Sequence, residues 1–220
     1  MAEARAEAVA ASDWGGGVYP YRVGHRKLGM WLFIMSDSLT FGALLVAYSY
    51  ARASSVNWPT PFPFSPSIVF SSLMTLVLLS SSLTMVFAVS ASKQGKLGSA
   101  RKWLLATMAL GLTFIVLHLF EWKHLIDEGL APFELPEEWK HAWPGASPLF
   151  GSTFFGITGL HMFHVFTGVC YLGVICARVK KLKEDVEVSG LYWHFVDLVW
   201  MFVFPLIYLL SVDYHGVLAK

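Results

Sequence analysis

The sequence predicts an all-α polytopic membrane protein: a bundle of five transmembrane helices with a cytoplasmic N-terminus and a periplasmic C-terminus. Three observations carry this. Hydrophobic residues make up 55% of the 220-residue chain at a mean hydropathy of +0.56, the 14% that are charged cluster between long apolar stretches instead of interleaving with them, and those stretches approach the roughly 20 residues that span a hydrocarbon core. An amphipathic soluble helix would show charge and apolar residues alternating at helical spacing.

Five segments meet the length requirement, at about 28 to 50, 68 to 91, 102 to 125, 150 to 177 and 190 to 212. The first connection carries Asn57, Pro59, Pro61, Pro63 and Pro66, the second is the short "SKQGKLGSARK", the third (about 126 to 149) holds five acids and four prolines, and the fourth is "RVKKLKEDVEV". Residues 1 to 27 read as a cytoplasmic tail without the apolar centre of a secretory signal, residues 28 to 212 as a single membrane domain, and 213 to 220 as a short outer tail. Orientation follows from the basic residues. Arg5, Arg22, Arg26, Lys27, Lys93, Lys96, Arg101, Lys102, Arg178, Lys180, Lys181 and Lys183 fall on one side, against Arg52, Lys123, Lys140 and Lys220 on the other. Positive loops stay inside.

Within the segments, Ser152, Gly156 and Gly159 form a small-residue stripe in the fourth, where another helix is expected to approach closely. Ser72, Thr75 and Ser82 place hydroxyls on about one face of the second, and Pro205 is expected to bend the fifth. Cys170 and Cys176 are too few for a disulfide framework or a thiolate metal site and read as small buried residues. A net charge near +1 gives no ground for nucleic-acid binding. Asp127, Glu128, Glu134, Glu137 and Glu138 make the third loop acidic, a solvated loop or a face for a basic partner.

Ionisable groups inside a bilayer cost upward of about 2.5 kcal/mol each, so every one needs a partner, a cavity or a function. Asp37 in "LFIMSDSLTFG" sits about nine residues into the first segment, roughly 13 Å deep at helical rise. It is expected to be protonated or paired, in a proton-linked or structural role. His118 and Glu121, His161 and His164, and His194 and Asp197 are each three apart and share a helix face. In the last pair the carboxylate would orient the imidazole. As ligands these groups read poorly. Glu121 lies nearer the outer surface and Asp197 nearer the inner, no His-His dipeptide of the di-iron membrane enzymes occurs, and nothing requires His118 and His161 to share a haem. Interhelical hydrogen bonding is the preferred reading, with a free-standing membrane metalloenzyme as the distant alternative.

"FGSTFFGITGLHMFHVFTG" (150 to 168) followed by "YWHFVDLVWMFVFPLIY" (192 to 208) closely resembles subunit III of the haem-copper oxidases, the cytochrome c oxidase family and its quinol-oxidising relatives. The match rests on Gly151 to Phe155, His161, His164 and Tyr192 to Asp197, and "GMWLFIMSDSLTFGALLVAY" looks like the family's helix with a buried carboxylate after serine. Asp37 stands where the family has a longer glutamate, and five helices stand where longer members have seven, so the chain resembles the compact bacterial form. The resemblance implies an auxiliary, non-redox subunit of an enzyme complex that reduces oxygen and translocates protons in the bacterial inner membrane. It implies no cofactor in this chain, with haem and copper in partner subunits and phospholipid as a possible ligand. Subunit I would be the direct partner and subunit II a member of the same complex, within a possible larger respiratory supercomplex. Asp37, His118, Glu121, His161, His164, His194 and Asp197 would then be buried polar structural or proton-linked groups, not ligands. The nearer alternative is the accessory subunit of a quinol oxidase or nitric oxide reductase.

Overall fold

The computed structural model describes residues 24–177 and 182–213. The tail before Gly24, the basic residues Arg178, Lys180 and Lys181, and the last seven residues lie outside the described residues, as does the side chain of Lys183. The chain forms α1 (His25–Ser54), α2 (Val69–Lys93), α3 (Leu97–Asp127), the short α4 (Glu137–Ala142), α5 (Leu149–Ala177) and α6 (Leu182–Val203), with no named strand among the described residues. Five helices are long and apolar enough to cross a membrane, as expected, and α4 interrupts the third loop.

The helices outrun the apolar segments. α1 begins at His25, inside the expected tail, and α6 begins at Leu182, eight residues before its apolar stretch. Helix length is set by backbone hydrogen bonds, and polar helix ends continue into the headgroup layer. There the extra turns meet: Arg26 pairs with Asp185, and Lys27 Nζ lies 2.9 Å from Glu187 Oε1. Lys93 at the end of α2 reaches the same Glu187 oxygen at 3.7 Å.

Tight turns end α2 and α3 through one device. After α2, Lys96 N donates to Ala91 O and Gly95 N to Ser92 O; after α3, Leu130 N donates to Leu125 O and Gly129 N to Ile126 O. Both motifs need a left-handed residue, supplied by Gly95 (φ +77°) and Gly129 (φ +93°). The α2–α3 hairpin is the most extensive helix pair, and α6 packs against α2 while α5 packs against both α3 and α6.

α1 is peripheral. Only 6% of its most apolar window is buried, against 50% for the span ending at Ser211. Apolar matching drives helix association weakly in lipid, so α1 is held by polar pairs near both ends: the Arg26 and Lys27 bridges at its N-terminal end, and at its C-terminal end Arg52 Nη2 donating to Leu210 O at 2.6 Å. Phe41 and Tyr48 supply its buried apolar contacts.

Pro205 perturbs α6 as expected, because a residue without N–H leaves a gap in the helical ladder. The helix opens into a π-turn over Phe204–Tyr208 and tightens to a 3-10 turn at Leu209–Ser211. The loop before α2 covers this end: Asp213 N donates to Phe62 O at 3.0 Å, and Phe62 stacks on Tyr208 at 5.2 Å. All five acids of the third loop are exposed. Hydrogen bonding from Lys140 holds the Glu137 carboxyl below its ordinary range.

Two expectations fail on packing. The stripe of Ser152, Gly156 and Gly159 meets another helix at one position only: Ser152 bonds to Pro132 O in the loop, Gly156 has no neighbour within 4 Å of a would-be Cβ, and at Gly159 the Trp122 ring of α3 would stand 3.0 Å from a Cβ. Close approaches fall instead at Gly151, whose Cβ would stand 2.2 Å from Ala131 O, and at Gly168 and Gly111, which flank the Trp193 ring. At Gly168 and Gly111 the partner is a ring on another helix, and at Gly151 it is a loop carbonyl. Cys176 is buried as expected, whereas Cys170 is exposed, on a face of α5 that no other described helix covers.

Candidate functional site

The bundle interior carries polar groups in three clusters, each built from residues on different helices. In the outermost, Glu121 from α3 is nearly enclosed, and both its oxygens are taken: Ser71 Oγ donates to Oε1 at 2.6 Å and Tyr208 OH to Oε2 at 2.7 Å. Three helical regions thus converge on one carboxyl. His118, one turn before it, only approaches, with Nδ1 3.8 Å from Oε2. Neither His118 ring nitrogen has an aligned hydrogen bond, and the ring lies against Phe114, Trp122 and Trp200. The His118–Glu121 pairing is therefore a weak one, and Ser71 and Tyr208 are the partners that matter.

At mid-depth, His161 on α5 donates from Nε2 to Val196 O on α6 at 3.1 Å, leaving Nδ1 unpaired. Trp200 lies 4.9 Å from its ring and donates Nε1–H to Thr75 Oγ1 at 3.0 Å. About two turns before it, Trp193 donates to Ser81 Oγ at 2.9 Å. The hydroxyls of α2 act as acceptors for α6 tryptophans, a use that Thr75 on the expected face shares with Ser81 off it. Ser82 is 2.7 Å from His194 Nδ1, whereas Asp197 Oδ2 is 3.9 Å away. Ser82 therefore orients His194, a correction to the expected carboxylate pairing. Asp197 follows Val196, whose carbonyl His161 binds, and so lies beside the mid-bundle cluster.

The third cluster joins the peripheral helix to the bundle. His164 Nε2 on α5 lies 2.7 Å from Asp37 Oδ2 on α1, and His164 Nδ1 lies 2.8 Å from Leu160 O. That carbonyl accepts, so Nδ1 carries a proton. Nε2 facing a carboxyl then requires a second proton, on the imidazole or on Asp37; without it two acceptors would meet. Oδ2 has no aligned hydrogen bond, so the pair is a close contact rather than a directed bond. Sequence spacing placed Asp37 and His164 in separate groups, and only α1 docking unites them. A cavity of about 420 Å³ lined by Phe33, His164, Thr167 and Tyr192 adjoins the pair.

Tyr208, Ser71, Trp193 and Trp200 escaped the sequence reading. A buried carboxyl needs donors, so a Tyr and a Ser at matching depth on neighbouring helices were the available signal. Among the described residues, no three His, Cys, Asp or Glu side chains converge as a metal-holding group.

With this geometry in place, comparison with known proteins is specific. The family described as cytochrome c oxidase subunit III matches residues 15–212. The chain is similar to cytochrome c oxidase subunit 3 of Alkalihalophilus pseudofirmus (30% identity, covering 86% of this chain and 88% of the relative) and of Bacillus subtilis (31%, 86% and 87%). It is equally similar to cytochrome bo(3) ubiquinol oxidase subunit 3 of Pseudomonas putida (31%, 84% and 86%).

Proposed function

Because the chain belongs to the cytochrome c oxidase subunit III family, and so is a multi-pass membrane subunit that works beside other oxidase subunits, we propose that it docks directly on subunit I and holds a proton-bearing Asp37–His164 pair that supports proton uptake during oxygen reduction. The supporting observation is the pair itself: a carboxyl and an imidazole 2.7 Å apart, on two helices, with the second ring nitrogen committed to Leu160 O. Such a pair must carry a proton to be stable and can pass it on only by separating or by meeting water. The face of α1 left uncovered, with Trp31, Leu32, Met35 and Leu39 exposed, leaves surface for lipid or a neighbouring subunit.

In this reading the chain is auxiliary, holds no redox cofactor, and resides in a bacterial inner membrane with the paired Arg26, Lys27 and Lys93 end inside. Glu121, His161 and His194 tie helices together through hydrogen bonds, His118 and Asp197 are buried polar groups among them, and haem and copper belong to partner subunits. Relatives named for cytochrome c and for ubiquinol share comparable identity with the chain, so we assign the choice of electron donor to other subunits.

The test is Asp37→Asn in the assembled oxidase. Asn retains the shape and loses the exchangeable carboxyl proton, so turnover-dependent inactivation should quicken or proton uptake should slow modestly, with the haem spectrum unchanged. Complete loss of oxygen reduction in an intact complex would refute a supporting role, and wild-type uptake and durability would remove the proton role.

A further inference from the structure

One buried carboxyl has no use in the proton role proposed above and no donor of its own. Asp197 on α6 is 5% exposed, and neither of its carboxyl oxygens has an aligned hydrogen bond. Glu121 gives the contrast. It is enclosed to a similar degree, yet a hydroxyl donates to each of its oxygens. A carboxylate without donors in a low-dielectric interior is costly, so Asp197 must keep a proton or share one with a base. The basic side chain paired with it among the described residues is His194, whose Nδ1 lies 3.9 Å from Oδ2.

Ser82 on α2 stands beside both. Its Oγ is 2.7 Å from His194 Nδ1, and the same hydroxyl faces the Asp197 carboxyl. Its neighbours Ser80, Ser81 and Thr84 each donate to a carbonyl of their own helix. Among the described residues Ser82 makes no such bond, which leaves its proton free to serve His194 or Asp197. A hydroxyl accepts as well as donates, so it can relay a proton between the two. The relay also has an outlet. The His194 side chain is 39% exposed, the most open of the seven candidate polar groups, and with Nδ1 turned to Ser82 it is the Nε2 edge that faces outward. This group joins α2 to α6, whereas the Asp37–His164 pair joins α1 to α5.

We propose that Asp197, Ser82 and His194 form a second proton-holding site, with Asp197 a neutral acid at rest and His194 Nε2 its point of exchange with the bundle surface. In the transfer Asp197 gives its proton to Ser82 Oγ as Ser82 gives its own to His194 Nδ1. The products are a carboxylate, an intact hydroxyl and an imidazolium, so the group stays neutral overall. Water at the surface then takes the Nε2 proton, and the reverse sequence refills Asp197.

Infrared spectroscopy of the purified oxidase complex tests this, because a protonated carboxyl has a carbonyl stretch above the amide bands that shifts in D2O. The difference between wild type and Asp197→Asn should contain one such band. Its hydrogen–deuterium exchange should slow about tenfold in Ser82→Ala and in His194→Phe, each of which removes one hydrogen-bonded step of the relay. Asp37→Asn should leave the band and its exchange as in wild type, so failure here and failure of the proton role at Asp37 are read apart. If Asp197→Asn does not assemble, Asp197→Glu, which keeps the acid and moves its band, identifies the group instead; if His194→Phe does not, Ser82→Ala decides. Absence of any carboxylic-acid band that responds to substitution at Asp197, or exchange at the wild-type rate in Ser82→Ala or His194→Phe, would overturn the assignment.

Discussion

Removing a single oxygen tests whether Glu121 is held as described. In Tyr208→Phe the ring keeps its contacts with Phe62, Phe154 and Trp200, so almost no cavity opens and the loss is one hydrogen bond to a buried carboxyl. Glu121 would retain only Ser71. A bond to a charged group is worth about 1.5–3 kcal/mol and to a neutral one about 1 kcal/mol, so the equilibrium between folded and unfolded chain should fall roughly five- to hundredfold. The readout is heat-induced loss of this subunit from the purified oxidase, with Tyr50→Phe as control because Tyr50 is 75% exposed and contributes no such bond. A second arm separates the bond from generic damage. With Glu121→Gln already in place, Tyr208→Phe should cost less than in the wild type, a coupling of about 0.5–3 kcal/mol in a double-mutant cycle. Equal stability of Tyr208→Phe and Tyr50→Phe, or strict additivity in the cycle, would show that Tyr208 does not hold the carboxyl.

Gly151→Ala should destabilise the outer cap by about 1–3 kcal/mol, since its Cβ would sit 2.2 Å from the Ala131 carbonyl, whereas Gly156→Ala should be neutral; subunit retention on heating distinguishes them. Trp193→Phe should cost about 1 kcal/mol or more through the lost bond to Ser81 together with reduced packing against Gly111 and Gly168, read in the same assay. Glu187→Gln should cost less than about 1 kcal/mol, and the loss should shrink as salt rises, because its bridges to Lys27 and Lys93 are partly exposed. His161→Leu should loosen α5 from α6 while the haem spectrum of the surviving complex stays that of wild type; a ligand-exchange shift would contradict the structural role.

The number of apolar helices, the connections and the interruption of the ladder at Pro205 were legible in the chain because they depend on one-dimensional quantities: apolar run length, breaker residues and a missing N–H. So were the polar positions within the spans, since a carboxyl or imidazole in an apolar run is conspicuous on cost alone, although only His118, Glu121, His161 and Asp197 are buried while Asp37, His164 and His194 are partly exposed. Their partners were not. Spacing along one helix grouped His161 with His164, His118 with Glu121 and His194 with Asp197, yet the short contacts run from His164 to Asp37, from Glu121 to Tyr208 and Ser71, and from His194 to Ser82. A polar side chain in a membrane is satisfied across helices, and which helices face each other is a property of docking. Packing glycines follow the same rule: Gly151 is set by a loop carbonyl and Gly168 by rings on α6, neither visible as a stripe along α5. Sequence alone determined which groups had to find a partner in a low-dielectric interior, and tertiary structure decided which partner each one met, because hydrogen bonds extend only about 3 Å and only assembled helices bring distant residues that close.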